Sequence, residues 1–95
     1  MEIIWSPDAQ ADLVAIHELI ARDNTAAAAA TINRIINAAE TYLPQQPEIG
    51  RAGRVHGTRE LVIPQSPYIL PYRIVGSQLA IIRVYHAARQ WPEPL

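Results

Sequence analysis

Apolar residues recur along the chain with two different periods. Ile3, Ile4 and Trp5 form a short strand-like run, closed by Ser6-Pro7. A serine oxygen accepts an orphan amide at a helix start and proline has no amide hydrogen to lose there, so the pair predicts an N-cap and a first helical residue. From that point Ala9, Leu13, Ile16 and Ile20 fall on one helical stripe, with Asp12 and Glu18 off it. Arg22-Asp23-Asn24 is a short connector ending in a second capping residue. Ala28, Ile32, Ile35, Ile36, Ala39 and Leu43 make the stripe of a second helix, which Pro44 and Pro47 terminate. Two helices joined this closely form an antiparallel hairpin. The alanines at 26 to 30 are strong helix formers whose small side chains let a neighbouring helix approach.

Residues 48 to 57 hold three of the four glycines and two arginines without any period, and read as a loop. Beyond it the pattern changes to strands over 58–63, 68–75 and 78–86. Gly76-Ser77 fits a two-residue hairpin turn with glycine first, and Pro64-Gln65-Ser66-Pro67 a longer connection. The turn sets a register: Val75 opposite Gln78, Ile74 opposite Leu79, Arg73 opposite Ala80, Tyr72 opposite Ile81. Continued without interruption, it puts Tyr68, Leu70, Tyr72, Ile74, Leu79, Ile81, Arg83 and Tyr85 on one face. Ile69, Arg73, Ala80, Ile82, Val84 and His86 take the other. Arg83 and His86 then cannot share a site unless the strand is bulged or ends between them. Pro71 is awkward within a strand and is tolerable at an edge or a bulge. The expected architecture is α+β in the order β-α-α-β-β-β, one domain over 1–95, with Leu13, Ile16, Ile20, Ile32, Ile35, Ile36 and Ala39 packed on one face of an antiparallel sheet.

The chain has 95 residues, 49% of them apolar, enough for one modest core. Its net charge of −1 conceals an asymmetry. Residues 1–50 carry Arg22 and Arg34 against seven acids, −5; residues 51–95 carry six arginines against Glu60 and Glu93, +4. The helical half is acidic, the sheet half basic, and there is no lysine. Such a dipolar molecule docks an acidic partner on one side without being a general polyanion binder. The absence of cysteine excludes disulfides and thiolate chemistry and fits a cytoplasmic protein. Nothing reads as a signal peptide or a membrane span. No histidines and acids have metal-site spacing on a common element, and Gly50, Gly53 and Gly57 make no phosphate-binding motif, so neither metal nor nucleotide cofactor is expected.

Three phrases in the last third carry a family likeness: Gly57-Thr58-Arg59-Glu60-Leu61, the Tyr72-Arg73 pair, and Arg83-Val84-Tyr85-His86-Ala87-Ala88-Arg89. Their joint order, behind two helices, resembles the ParE/RelE superfamily of type II toxin-antitoxin toxins, and its ParE branch in particular, over nearly the whole chain. The resemblance implies a toxin neutralised by a cognate antitoxin that folds on binding, wrapping an apolar helix groove and adding a strand to a sheet edge. ParE-like toxins inhibit DNA gyrase without catalysis. Partner contacts are expected at Arg59, Glu60, Arg73, Arg83, His86, Arg89 and Trp91, since arginine and tryptophan are common interface anchors.

The alternative is a ribosome-dependent mRNA endonuclease like the RelE branch. Cleavage by the RNA's own 2′-hydroxyl needs a base, an acid and cations around the phosphate, and His86, Tyr85, Arg83, Arg73, Arg59 and His56 supply the right residue types. Two features weigh against it. Where the nuclease branch resembles Tyr/His-Arg-Leu-Val-Tyr, this chain has Tyr68-Ile69-Leu70-Pro71-Tyr72, and isoleucine cannot hold a phosphate. Arg73 lies four residues on, about 13 Å along a strand. A slightly acidic chain also suits the ribosome's phosphate field poorly, so direct nucleic-acid binding is expected only if the chain is RelE-like.

Overall fold

Eight elements follow one another: β1 (Glu2–Trp5), α1 (Pro7–Ala21), α2 (Thr25–Tyr42), β2 (Arg51–Ala52), β3 (Arg59–Val62), β4 (Tyr68–Val75), β5 (Gln78–Ile81) and β6 (Tyr85–His86). They come from a computed structural model that describes residues 1–89 and 91–92. Both helix starts are capped as the sequence implies. Ser6 Oγ accepts the Ala9 amide at 3.0 Å with Pro7 opening the helix, and Asn24 Oδ1 accepts the Ala27 amide at 2.9 Å.

The strands lie in the order β1-β5-β4-β3-β2, and β6 adds to the same side of β4 as β5. β1 is parallel to β5, because the helical hairpin carries the chain over the sheet before it returns, and the other pairs are antiparallel. The hairpin register is the expected one from Val75–Gln78 to Tyr72–Ile81. Gly76 supplies the positive φ of its turn, +59°. The loop over 48–57 also holds the two-residue strand β2, which pairs Arg51 with Glu60 and Ala52 with Arg59.

The expected single strand over 78–86 is instead two strands around a bulge. The Ile82 amide still donates to the Pro71 carbonyl at 2.9 Å, but further along Tyr85 lies opposite Ile69 and His86 opposite Tyr68. Arg83 and Val84 therefore oppose the single residue Leu70. Pro71 explains why the ladder gives way here: it has no N–H to return to Ile82. Ser6 Oγ donates to the Ile82 carbonyl instead, at 2.8 Å, and the Val84 amide turns to the Asp12 carboxylate, also at 2.8 Å. The extra residue reverses the faces expected beyond it. Val84 joins the helix side, His86 stands beside Tyr68, and Tyr85 crosses to the outer side with Ile69.

On the helix side, Ala9, Ile35, Ala38, Ala39 and Leu43 meet Leu61, Ile63, Tyr68, Leu70, Tyr72, Leu79, Ile81 and Val84, with Leu13 and Ile16 at the margin. Ile20, Ile32 and Ile36, expected against the sheet, are only half-buried and lie outside this cluster. Near the inter-helix turn the helices cover each other, so Ala28 is fully buried without belonging to the sheet-facing core. Among the described residues no helix is long and apolar enough to cross a membrane.

Candidate partner-binding surfaces

The outer face of the sheet carries a second cluster. Ile69, Tyr85 and Trp91 are buried together, with Val55 and Ile82 packed against them. The Tyr85 and Trp91 rings stack at 6.1 Å and 18°, and the Arg54 guanidinium lies 5.7 Å over the Tyr85 ring. Glu60, 2% exposed, sits within this layer. Its Oε1 accepts Arg51 Nε at 3.2 Å and Arg51 Nη2 at 3.1 Å, and its Oε2 accepts the Arg54 amide at 3.0 Å. A carboxylate buried this deeply persists because one short loop supplies charge-assisted partners to both of its oxygens. The Tyr85 hydroxyl is buried and closes no hydrogen bond of full geometry among the described residues, though the Glu60 carboxylate is close enough to act on it. Burial pushes its pKa up, and the Glu60 charge adds to that against Arg54 and Arg51. Arg73 stands exposed on the same face, with no partner among the described residues.

Arg59 fastens the preceding loop by donating to the carbonyls of Gly50 at 2.9 Å and Glu48 at 3.2 Å. Tyr72, fully buried, holds the same loop from the helix side. Its hydroxyl accepts the Gly50 amide at 2.9 Å and donates to the Pro47 carbonyl at 2.7 Å. Glycine is required at position 50 because a Cβ there would fall 2.7 Å from the Tyr72 ring. Burial raises the Tyr72 pKa, partly offset by the Gly50 amide and Arg59 and reinforced by Glu48.

At the bulge, Asp12 of α1 accepts Arg83 through both oxygens, Nε at 2.7 Å and Nη2 at 3.0 Å. A groove of about 350 Å³ opens beside this pair, lined by Ile16, Leu19, Tyr68, Val84, His86 and Arg89 among others. Leu19 is 59% exposed there. His86 Nδ1 accepts the Ala88 amide at 3.0 Å, which leaves the proton of the neutral ring on Nε2. Its ring meets that of Tyr68 edge-on, 5.7 Å between centroids, and burial raises the Tyr68 pKa.

A second groove, of about 400 Å³, lies at the far edge of the sheet. It contains Tyr42, Ile49 and Val62, each 45–47% exposed, with Leu61 and Pro64 in its wall and Arg51 at its rim. The Ile63 amide bonds to β4, so by alternation the backbone groups of Glu60 and Val62 point to the opposite edge. β2 ends its pairing at Glu60, and the polar backbone of Val62 faces the open edge.

The residues picked out in the sequence thus have different fates. Glu60 and Arg59 are bonded inside the chain, Arg83 is paired with Asp12, and Trp91 is buried against Tyr85. Arg73 and Arg89 are exposed, and His86 is half-buried. Tyr85 and Arg73 lie on the outer face, whereas His86 and Arg83 turn toward α1. Among the described residues no three acidic or histidine side chains converge as a metal site would require. Asp12, Arg51, Arg54, Tyr42, Ile49 and Val62 are the residues that sequence reasoning passed over. Asp12 left a trace as a carboxylate placed off an apolar helical stripe, and Arg51 and Arg54 as the two arginines of an aperiodic loop.

Comparison with known proteins fits these features to one family. The model of the family described as "ParE toxin of type II toxin-antitoxin system, parDE" matches residues 3–91. The protein Y4kP of Sinorhizobium fredii is 42% identical over 93 residues, covering 98% of this chain and 95% of its own. Toxin RelE2 of Caulobacter vibrioides is 33% identical over 88 residues, covering 93% of this chain and 97% of its own. A solved chain of the chromosomal ParDE TA system from P. aeruginosa superposes with a TM-score of 0.83 at 27% identity, over 90% of this chain and 95% of that one. A family model matching nearly the whole chain, relatives aligned over almost their full length and a shared fold make this chain a member of the ParE toxin family, a type II toxin within the ParE/RelE superfamily.

Proposed function

We propose that this toxin acts by binding, as a cytoplasmic inhibitor of DNA gyrase, and that its cognate antitoxin neutralises it by covering the apolar grooves. The observation that carries this reading is the division of the candidate catalytic residues between the two faces of the sheet. General acid-base cleavage needs its groups within hydrogen-bond reach of one phosphate. Tyr85 is buried under Trp91 on the outer side. His86 is on the helix side with Nδ1 engaged, and Arg83 is held by Asp12. Ile69, at the position where the nuclease branch has an arginine, is 4% exposed beneath the aromatic pair.

Target contact is assigned to the outer face, which carries the Tyr85–Trp91 stack with Arg54 over it and, further along β4, the exposed Arg73. The antitoxin is placed at the open edge of β3, where an extended segment pairs with the Val62 backbone, sets apolar side chains among Tyr42, Ile49 and Val62, and brings a carboxylate to Arg51. A second antitoxin segment fits the groove of Leu19, His86 and Arg89. Glu60 and Arg59 act from within, holding the loop that presents Arg51 and Arg54.

The test measures gyrase supercoiling and cleavage of ribosome-bound message in parallel, for the wild type and His86→Ala. The expected result is gyrase inhibition by both proteins with message intact. Message cleavage by the wild type, reduced about 10²- to 10⁴-fold in His86→Ala as loss of an acid or base requires, with gyrase unaffected, overturns the proposal.

A further inference from the structure

We infer that Asp12 is a positioning residue: from helix α1 it selects which face of the sheet receives Tyr85, and with it Trp91. Arg83 and Val84 form the extra pair of residues opposite Leu70. If the register of β5 ran on unbroken, Val84 would stand opposite Ile69 and Tyr85 opposite Tyr68. The Tyr85 ring would then point at the helices, Trp91 would lose its stacking partner, and Arg54 would lose the ring beneath it.

What holds the bulge is one carboxylate. Asp12 Oδ2 accepts both the Val84 amide at 2.8 Å and Arg83 Nε at 2.7 Å, while Oδ1 accepts Arg83 Nη2 at 3.0 Å. Val84 is 3% exposed, so its amide has little recourse to water, and a buried amide without an acceptor is strongly disfavoured. Pro71 contributes by having no hydrogen for the Ile82 carbonyl, but Ser6 satisfies that carbonyl. Asp12 is the group that makes the bulged arrangement the satisfied one. The Asp12 side chain is 17% exposed, and it borders the groove beside α1 on the opposite side of the sheet from the cluster it controls.

The experiment compares Asp12→Ala, Asp12→Asn and Arg83→Ala in the full chain, all in a Trp5→Phe background so that Trp91 alone reports. Asparagine keeps an oxygen for the Val84 amide, and Arg83→Ala keeps the whole carboxylate. Both are expected to retain nuclear Overhauser contacts from the Tyr85 ring to Ile69 and Trp91. Asp12→Ala is expected to lose them, to gain contacts from Tyr85 to Tyr68, and to shift the Trp91 emission to the red. Retention of the Tyr85–Trp91 contacts in a folded Asp12→Ala protein overturns the inference. Should that variant fail to fold, loss of these contacts in folded Asp12→Asn does so, because an acceptor remains there. A second arm rests on the proposed target: Asp12→Ala should lose at least tenfold in gyrase inhibition while antitoxin binding at the β3 edge is kept. Native ring contacts in Asp12→Ala reject the inference whatever the target. Displaced contacts with no gyrase effect in the wild type reject the target and leave the positioning role standing.

Discussion

On the helix side of the sheet, Leu70, Tyr72, Leu79 and Ile81 are fully buried beneath two helices, and the Asp12–Arg83 pair stands at the layer's margin beside Val84. On the outer side, among the described residues no helix covers Ile69, Tyr85 and Trp91; Val55 of the 48–57 loop and Ile82 pack against them, with Glu60 set into the layer. Both layers hang from alternate residues of β4. The first is closed mainly by apolar matching, so its stability grows with the area buried, and Tyr72 adds bonds to the Gly50 amide and the Pro47 carbonyl. The second closes through directed bonds: one carboxylate, two arginines and one ring stack. A layer of that kind contributes less to stability and presents a more specific surface, which suits recognition of a target.

The largest effect that would sharpen this contrast comes from Tyr72→Ala. Removing a fully buried ring from the helix side should cost about 3–5 kcal/mol in denaturant unfolding. Glu60→Ala should cost about 1.5–3 kcal/mol, since it removes charge-assisted bonds from the Arg51 side chain and the Arg54 amide. Its signature is faster amide exchange over 51–58 with the helices unchanged. Trp91→Ala should lower stability by about 0.5–3 kcal/mol, less than Tyr72→Ala, yet abolish growth arrest, with antitoxin affinity retained. A stability loss as large as that of Tyr72→Ala would break the distinction between the faces.

The smallest effect is alkaline. Burial raises the hydroxyl pKa of Tyr68, Tyr72 and Tyr85, so the folded state holds these protons more tightly than the unfolded chain. The associated stability is fully present below the ordinary tyrosine value of about 10 and is lost as pH rises through the folded values. Tyr72→Phe and Tyr85→Phe should each flatten the decline in stability above that pH, measured by denaturant titration at a series of alkaline pH values. Equal slopes in wild type and variants would show that neither hydroxyl is sheltered.

How much of this was legible in the sequence follows from the range of each interaction. Helix caps, stripes and the Gly76-Ser77 turn depend on neighbours within four residues, and they appear where expected. The likeness of Arg83-Val84-Tyr85-His86 to its family pointed to the right chain segment, but not to the faces its residues occupy. That depended on Asp12, 72 residues from Val84, and no period along the strand encodes it. Pro71 announced an irregularity without saying that the opposite strand would absorb it. Glu60, expected among the partner contacts, is buried by Arg51 and the Arg54 amide within a loop lacking any pattern, so nothing in the sequence announces its burial. Ile20, Ile32 and Ile36 show the converse. Their spacing is helical, but periodicity cannot tell whether a stripe meets a sheet or another helix.

The parallel pairing of β1 with β5 has a consequence for the newborn chain. Glu2 lies opposite Gln78, and Ser6, which begins the first helix, bonds to Ile82. At about 5–20 residues per second, these N-terminal groups wait on the order of 4–15 s after synthesis before their neighbours exist. The central strand β4 likewise gains its second flank only when β5 has left the ribosome. A sheet built this way cannot close along β1 before Gln78 to Ile81 have emerged, so the folding of its first strand waits on the synthesis of its fifth.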